Sequence, residues 1–126
     1  MEKVLLDSSF ILSCVRNRID FFTEITLMGM QILIPEEVLK EIENIKNSRQ
    51  KLKDKEAARF SSVLFKLNNF KKIKLKAKNV DRGIINFAGE NSGLIIATLD
   101  REIKKKLKGK NKLMVIRGKN RLEVLG

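Results

Sequence analysis

The chain has 126 residues, 43% hydrophobic and 33% charged, with a formal net charge of +12, no histidine and one cysteine. This composition predicts one globular domain over residues 1–126 with a real core, and excludes a disordered chain. It also excludes imidazole-based triads and acid–base pairs, the usual His/Cys zinc sets, and any disulfide within the chain.

Further exclusions follow from the order of residues. No apolar run approaches membrane-spanning length, and "MEKVLLDSS" lacks a signal-peptide pattern, so an intracellular, cytoplasmic location is expected. Any catalysis must rest on carboxylates, lysines, hydroxyls or a bound hard cation, Mg²⁺ or Mn²⁺, held by oxygen ligands.

In chain order, "KVLLD" (3–7) predicts a buried strand ending in Asp7, and "SSFILSCVRNRI" a helix with Phe10, Ile11, Cys14 and Val15 inward. "DFFTEITLMG" predicts a short helix capped by Asp20 and stopped by Gly29. "MQILIP" is a second strand, and Pro35 suits the first turn of the helix "EEVLKEIENI". The polar stretch 46–56 reads as a loop or frayed helix, and "EAARFSSVLFKL" as a helix. "KKIKLKA" (71–77) alternates lysine with Ile73, Leu75 and Ala77, the pattern of an edge strand with one solvated face. "VDRGIINFAGE" is a helix with Ile84, Ile85 and Ala88 inward, "GLIIAT" a strand, "DREIKKKL" a short helix and "KLMVIR" a strand. "KNRLEVLG" adds a small final strand. Strands alternating with helices predict an α/β protein with a mainly parallel sheet.

Charge is unevenly spread. Residues 71–126 hold sixteen Lys/Arg against five Asp/Glu, while residues 1–70 hold eleven against ten. A basic half points first to nucleic acid and second to an acidic membrane surface; the bland alternative is a solvated lysine-rich surface.

In parallel sheets ligands bind beyond the carboxyl ends of the strands, at the point where strand order reverses. Asp7 closes the first strand, Asp100 follows "IIAT", and Asp81 opens the helix that leads into that strand. Each alone could be a helix cap. Three on one edge repel unless a cation offsets their charge, which favours a metal site. Glu36, Glu37, Glu41 and Glu43 compete for a fourth place, and helical periodicity does not choose among them.

"VLLDSSFIL", "ILIPEEVLKEI", "VDRGIINFA" and "IIATLDREIKKKL" resemble, in order and across essentially the whole chain, the successive motifs of the PIN-domain nucleases. The resemblance implies a three-layer α/β/α sandwich with metal-bound acids at the strand ends. Carried over by position, the catalytic and metal-binding acids are Asp7, Glu41, Asp81 and Asp100, with Glu41 selected over Glu43. Ser9 and Thr98 match small polar positions beside the first and last acids, and Glu102 matches a frequent additional acid. Two departures stand out: "DSS" replaces the more usual Asp-Thr-Asn/Ser, and Gly83 sits early in a helix, where glycine costs about 1 kcal/mol relative to alanine.

The expected activity is therefore Mg²⁺- or Mn²⁺-dependent hydrolysis of RNA phosphodiesters. Lys71, Lys72, Lys74, Lys76, Lys78, Arg101, Lys104, Lys105, Lys106 and Lys108 are the candidates for gripping the RNA backbone. Ribosomal or transfer RNA are the expected substrates. "IPEEVLKEIENI" and "ATLDREIKKKLK" look closer to archaeal relatives of the rRNA-processing branch, with a ribosome-assembly partner. The alternatives are the toxin branch, with an antitoxin partner, and a non-catalytic RNA-binding module. Homodimers are common in the family, although no interface is legible. A phosphate-accepting signalling domain fits poorly, because "LLDSS" has only one acid after the strand.

Overall fold

The computed structural model describes all residues, Met1–Gly126. Its apolar runs form the strands β1 (Lys3–Leu6), β2 (Gln31–Pro35), β3 (Lys71–Ile73), β4 (Ile95–Ala97), β5 (Leu113–Arg117) and β6 (Arg121–Leu125). The amphipathic stretches form α1 (Ser8–Arg16), α2 (Phe21–Leu27), α3 (Glu36–Lys46), α4 (Leu52–Leu67), α5 (Val80–Glu90) and α6 (Arg101–Leu107). One sheet has the order β3-β2-β1-β4-β5-β6. Every pairing is parallel except β5–β6, which is antiparallel.

Alternation along the central strands divides the core between two faces. Val4, Leu6, Ile32, Ile34, Ile95 and Ala97 point to one face, where α1 to α4 cover them. Leu5, Leu33 and Ile96 point to the other, against Ile84 and Ala88 of α5 and Ile103 and Leu107 of α6. Because the central strands are buried on both faces, their sequences are continuously apolar rather than alternating. Fully burying each such Leu or Ile contributes about 1.5–3 kcal/mol. The expected α/β/α sandwich is the one observed.

Local differences have physical causes. Pro35 ends β2 and serves as the N-cap residue of α3 rather than lying in its first turn. Helix α4 begins at Leu52, inside the stretch read as a loop or frayed helix, with Asp54 in its first turn bonded to Arg16 at 2.6 Å. The acid complements the helix dipole, and α1 supplies a partner that local sequence does not reveal. β3 does occupy the sheet edge but stops at Ile73, because the amides of Leu75 and Lys76 donate to Glu37 instead of continuing a ladder. Gly29 adopts φ +78 just past α2, the left-handed position expected of a helix stop.

The chain builds the sheet outward from β1 through β2 to β3, then crosses back to place β4 on the other side of β1. The order therefore reverses between β1 and β4, the crevice where parallel sheets bind ligands.

Candidate active site

Asp7 follows β1 at this crevice and is 4% exposed. Its backbone N–H donates to the Ala97 carbonyl at 2.9 Å, which carries the β1–β4 pairing one residue beyond the strand. Its Oδ1 accepts from Ser8 N at 2.8 Å. Its Oδ2 accepts from Thr98 Oγ1 at 2.7 Å and from Ser9 Oγ at 3.0 Å. Each hydroxyl also accepts a backbone amide from the turn after β4: Asp100 N to Thr98 at 3.1 Å, and Leu99 N to Ser9 at 3.1 Å. A hydroxyl has one proton to give. With both given to Asp7, the 3.4 Å approach of Ser9 to Thr98 is a contact rather than a further bond. The two hydroxyls thus tie the first acid to the turn that carries the last one.

Asp100 is the N-cap of α6, accepting from Glu102 N at 2.8 Å and Ile103 N at 3.2 Å. Both bonds fall on Oδ1, which leaves Oδ2 for other work. Asp81 is not a cap: Asn79 caps α5 by accepting from Arg82 N at 2.9 Å. Although much of Asp81 is exposed, its carboxyl is raised above the ordinary carboxylate range. Partial burial is the first cause, followed by the charges of Asp100 and Asp7 and a hydrogen bond to Asp100. Glu41 is also raised, by burial first and then by Asp7 and Asp81, while the Ser8 hydroxyl opposes the shift by donating at 3.0 Å. Glu43 instead faces solvent and pairs with Lys46 at 3.0 Å.

The four acids thus share one electrostatic environment, yet no three of them close into a metal cage. Oxygen-only donors suit a cation of the Mg²⁺ type, which keeps several waters. The donor set fits such an ion.

The raised pKa values have a thermodynamic consequence. A carboxyl whose folded pKa lies above its unfolded value contributes stability that is fully present below the unfolded pKa and lost as pH rises through the folded one. At neutral pH, ionised Asp81 therefore carries an unfavourable cost, from partial burial first and from the neighbouring acids second. Asp81→Asn should raise the melting temperature of chelator-treated protein at neutral pH, with the gain shrinking in acid. Wild type should melt higher when Mg²⁺ or Mn²⁺ is added, and the variant should gain less. A variant that melts lower at neutral pH would show that no such cost is stored there.

The family described as "PIN like domain" matches residues 4–121. The chain belongs to the PIN-domain nuclease family. This PIN domain is 34% identical to Ribonuclease VapC4 of Methanocaldococcus jannaschii over 130 residues, covering 100% of this chain and 98% of the relative. Two solved structures share the fold. The PIN domain endonuclease Utp24 superposes with a TM-score of 0.74 at 19% identity, covering 97% of this chain and 90% of the other. A domain of a functionally unknown protein from Methanocaldococcus jannaschii gives 0.57 at 20% identity, covering 96% and 95%.

Around the acids of the PIN domain, the basic residues divide by position. Lys74, Lys76 and Lys78 are exposed on the loop leaving the carboxyl end of β3, the edge that carries the acids. Arg101 is exposed in the first turn of α6, next to Asp100. Lys72 lies within β3, and Lys71 opens the strand at the opposite edge, sharing a crevice with Met1 and Lys3. Lys104, Lys105 and Lys106 follow along α6, with Lys108 just past its far end. Glu102 is exposed, and its backbone N–H meets Asp100.

Two contributors escaped sequence reasoning. Ser8 holds Glu41, and its only signal was its place beside Asp7 in "DSS". Glu37, weighed only as one of four glutamates competing for a fourth place, binds backbone across the fold. Cys14 takes no part: it is buried, and burial, helped by Glu24, pushes its thiol up to about 12. A cavity of about 750 Å³ lies away from the acids, between the end of α1 and α4.

Proposed function

We propose that this PIN domain is a Mg²⁺- or Mn²⁺-dependent endoribonuclease, acting as a toxin-type RNase ahead of a role in rRNA processing. One observation carries the reading: Asp7 is held at the strand-order reversal, with Glu41 and Asp81 within reach of its charge and Asp100 within reach of Asp81. The full-length relative named a ribonuclease supports RNA as substrate and the toxin branch as role. The likeness to Utp24 is one of fold, so it lends the rRNA branch less weight.

When bound, the divalent ion supplies an activated water and offsets charge on the phosphoryl oxygens. The protein's part is positional. Asp7, fixed by three hydrogen bonds, presents an immobile carboxylate, because both hydroxyls that hold it are themselves anchored by backbone amides. Asp100 offers Oδ2 while Oδ1 stays with the helix. Ser8 orients Glu41 from the same turn that carries Asp7. Lys74, Lys76, Lys78 and Arg101 lie where they can hold phosphates flanking the scissile one, contacts that position RNA without reading its sequence. The chain contains no histidine base, and this arrangement asks for none.

The test is a Mn²⁺ titration of the purified protein with structured and single-stranded RNA. Cleavage should appear with the ion, vanish with chelator, and return when ion is resupplied. Cleavage indifferent to chelator would overturn the metal-dependent reading. Co-purification with a small antitoxin would support the toxin role, and co-purification with pre-ribosomal RNA the other.

A further inference from the structure

Glu37 performs a task that the acid cluster does not explain. Its Oε1 and Oε2 accept from Leu75 N at 3.1 and 3.2 Å, and Oε2 accepts from Lys76 N at 3.1 Å. These are charge-assisted bonds, stronger than neutral ones. They join the first turn of α3 to a loop 38 and 39 residues away. Lys76 sits at φ +57, a left-handed conformation that costs a non-glycine residue energy and persists only when its surroundings enforce it.

From the other side, α5 presses on the same loop. A Cβ on Gly83 would meet Ala77 Cβ and Leu75 Cβ, each at 3.0 Å, so glycine at this position permits the close approach. This also explains a residue that weakens its own helix. The loop is therefore gripped from two directions while Lys74, Lys76 and Lys78 remain exposed. Glu37 and Glu41 stand one helical turn apart, on one face of α3. A single helix thus sets both an acid of the cluster and the lysine loop beside it.

We propose that Glu37 is a positioning residue: by clamping the backbone of Leu75 and Lys76, it fixes the lysine loop in the shape that grips the RNA backbone next to the acids. This rests on the RNA-cleavage reading above. The clamp is distinguishable from ordinary electrostatics by sign. Removing an acid from a basic surface should tighten RNA binding if charge alone matters. Loss of the clamp should weaken it.

The experiment compares Glu37→Ala with Glu36→Ala, which removes the same charge one residue away. Binding of a short fluorescein-labelled single-stranded RNA is followed by anisotropy in chelator at low salt, and amide exchange at Leu75 and Lys76 by NMR. Glu37→Ala should weaken binding by roughly three- to ten-fold, the scale of losing one or two ordered phosphate contacts. Exchange should speed up at the two amides, and Glu36→Ala should bind as tightly as wild type or tighter. In cleavage, KM should rise with kcat nearly unchanged. Gly83→Ala, which displaces the loop with Glu37 intact, should weaken binding in the same direction. Equal binding by the Glu37 and Glu36 variants, with wild type binding RNA normally, would overturn the clamp alone. Wild type that binds no RNA would overturn both the clamp's role and the RNA reading.

Discussion

Asp100→Asn should leave the protein folded and remove its cleavage activity. Asparagine caps helices about as well as aspartate. Its carbonyl can still accept from Glu102 N and Ile103 N, so α6 should lose at most a few tenths of a kcal/mol. What disappears is the charge that Asp100 presents to Asp81 and, in the proposed site, to a cation. Loss of outer-shell partners at metal sites typically costs 10–100-fold, so loss of a direct ligand should lower cleavage by at least about a hundred-fold. Single-turnover cleavage in Mn²⁺ and a urea melt, read together, test this. A variant that cleaves within a few-fold of wild type would reduce Asp100 to a helix cap.

Asp7→Asn should be as damaging to cleavage and should also destabilise the protein. Both carboxylate oxygens of Asp7 face donors, Ser8 N on one side and the hydroxyls of Ser9 and Thr98 on the other. An amide has one acceptor oxygen and one NH₂ group. With its NH₂ toward Ser8 N, Asn sets donor against donor; turned the other way, its NH₂ takes lone pairs of Ser9 and Thr98 and leaves their protons without the carboxylate acceptor they had, in a site only 4% exposed. An unsatisfied buried polar group of this kind costs about 1–3 kcal/mol. Denaturation midpoints should therefore fall for Asp7→Asn and hold for Asp100→Asn, while RNA affinity stays close to wild type in both. Unchanged cleavage by the Asp7 variant would sink the assignment of the first acid.

The buried strand at Val4, Leu5 and Leu6, the capping signal at Asp20 and the stop at Gly29 were legible because each depends on neighbours a few residues away. The absence of histidine already limited the chemistry to oxygen ligands. Expectation failed where a partner from elsewhere decided the local structure. Glu37 captured the amides after Ile73, so an alternating stretch stopped being strand. Periodicity put Glu41 and Glu43 on a par; the fold separates them, since Glu41 meets Ser8 and Glu43 meets Lys46 at the surface.

By itself, then, the sequence determined the α/β class with its mainly parallel sheet, the apolar strands, the placement of acids at strand ends and the basic surface near them. These follow from local period, composition and charge. Only the tertiary structure decided that β1 lies beside β4, so that Thr98 reaches Asp7 across 91 residues of chain, and that Glu37 holds a loop 38 residues away. Pairings at such separations are selected by how the whole core packs, and no window of neighbouring residues carries that information.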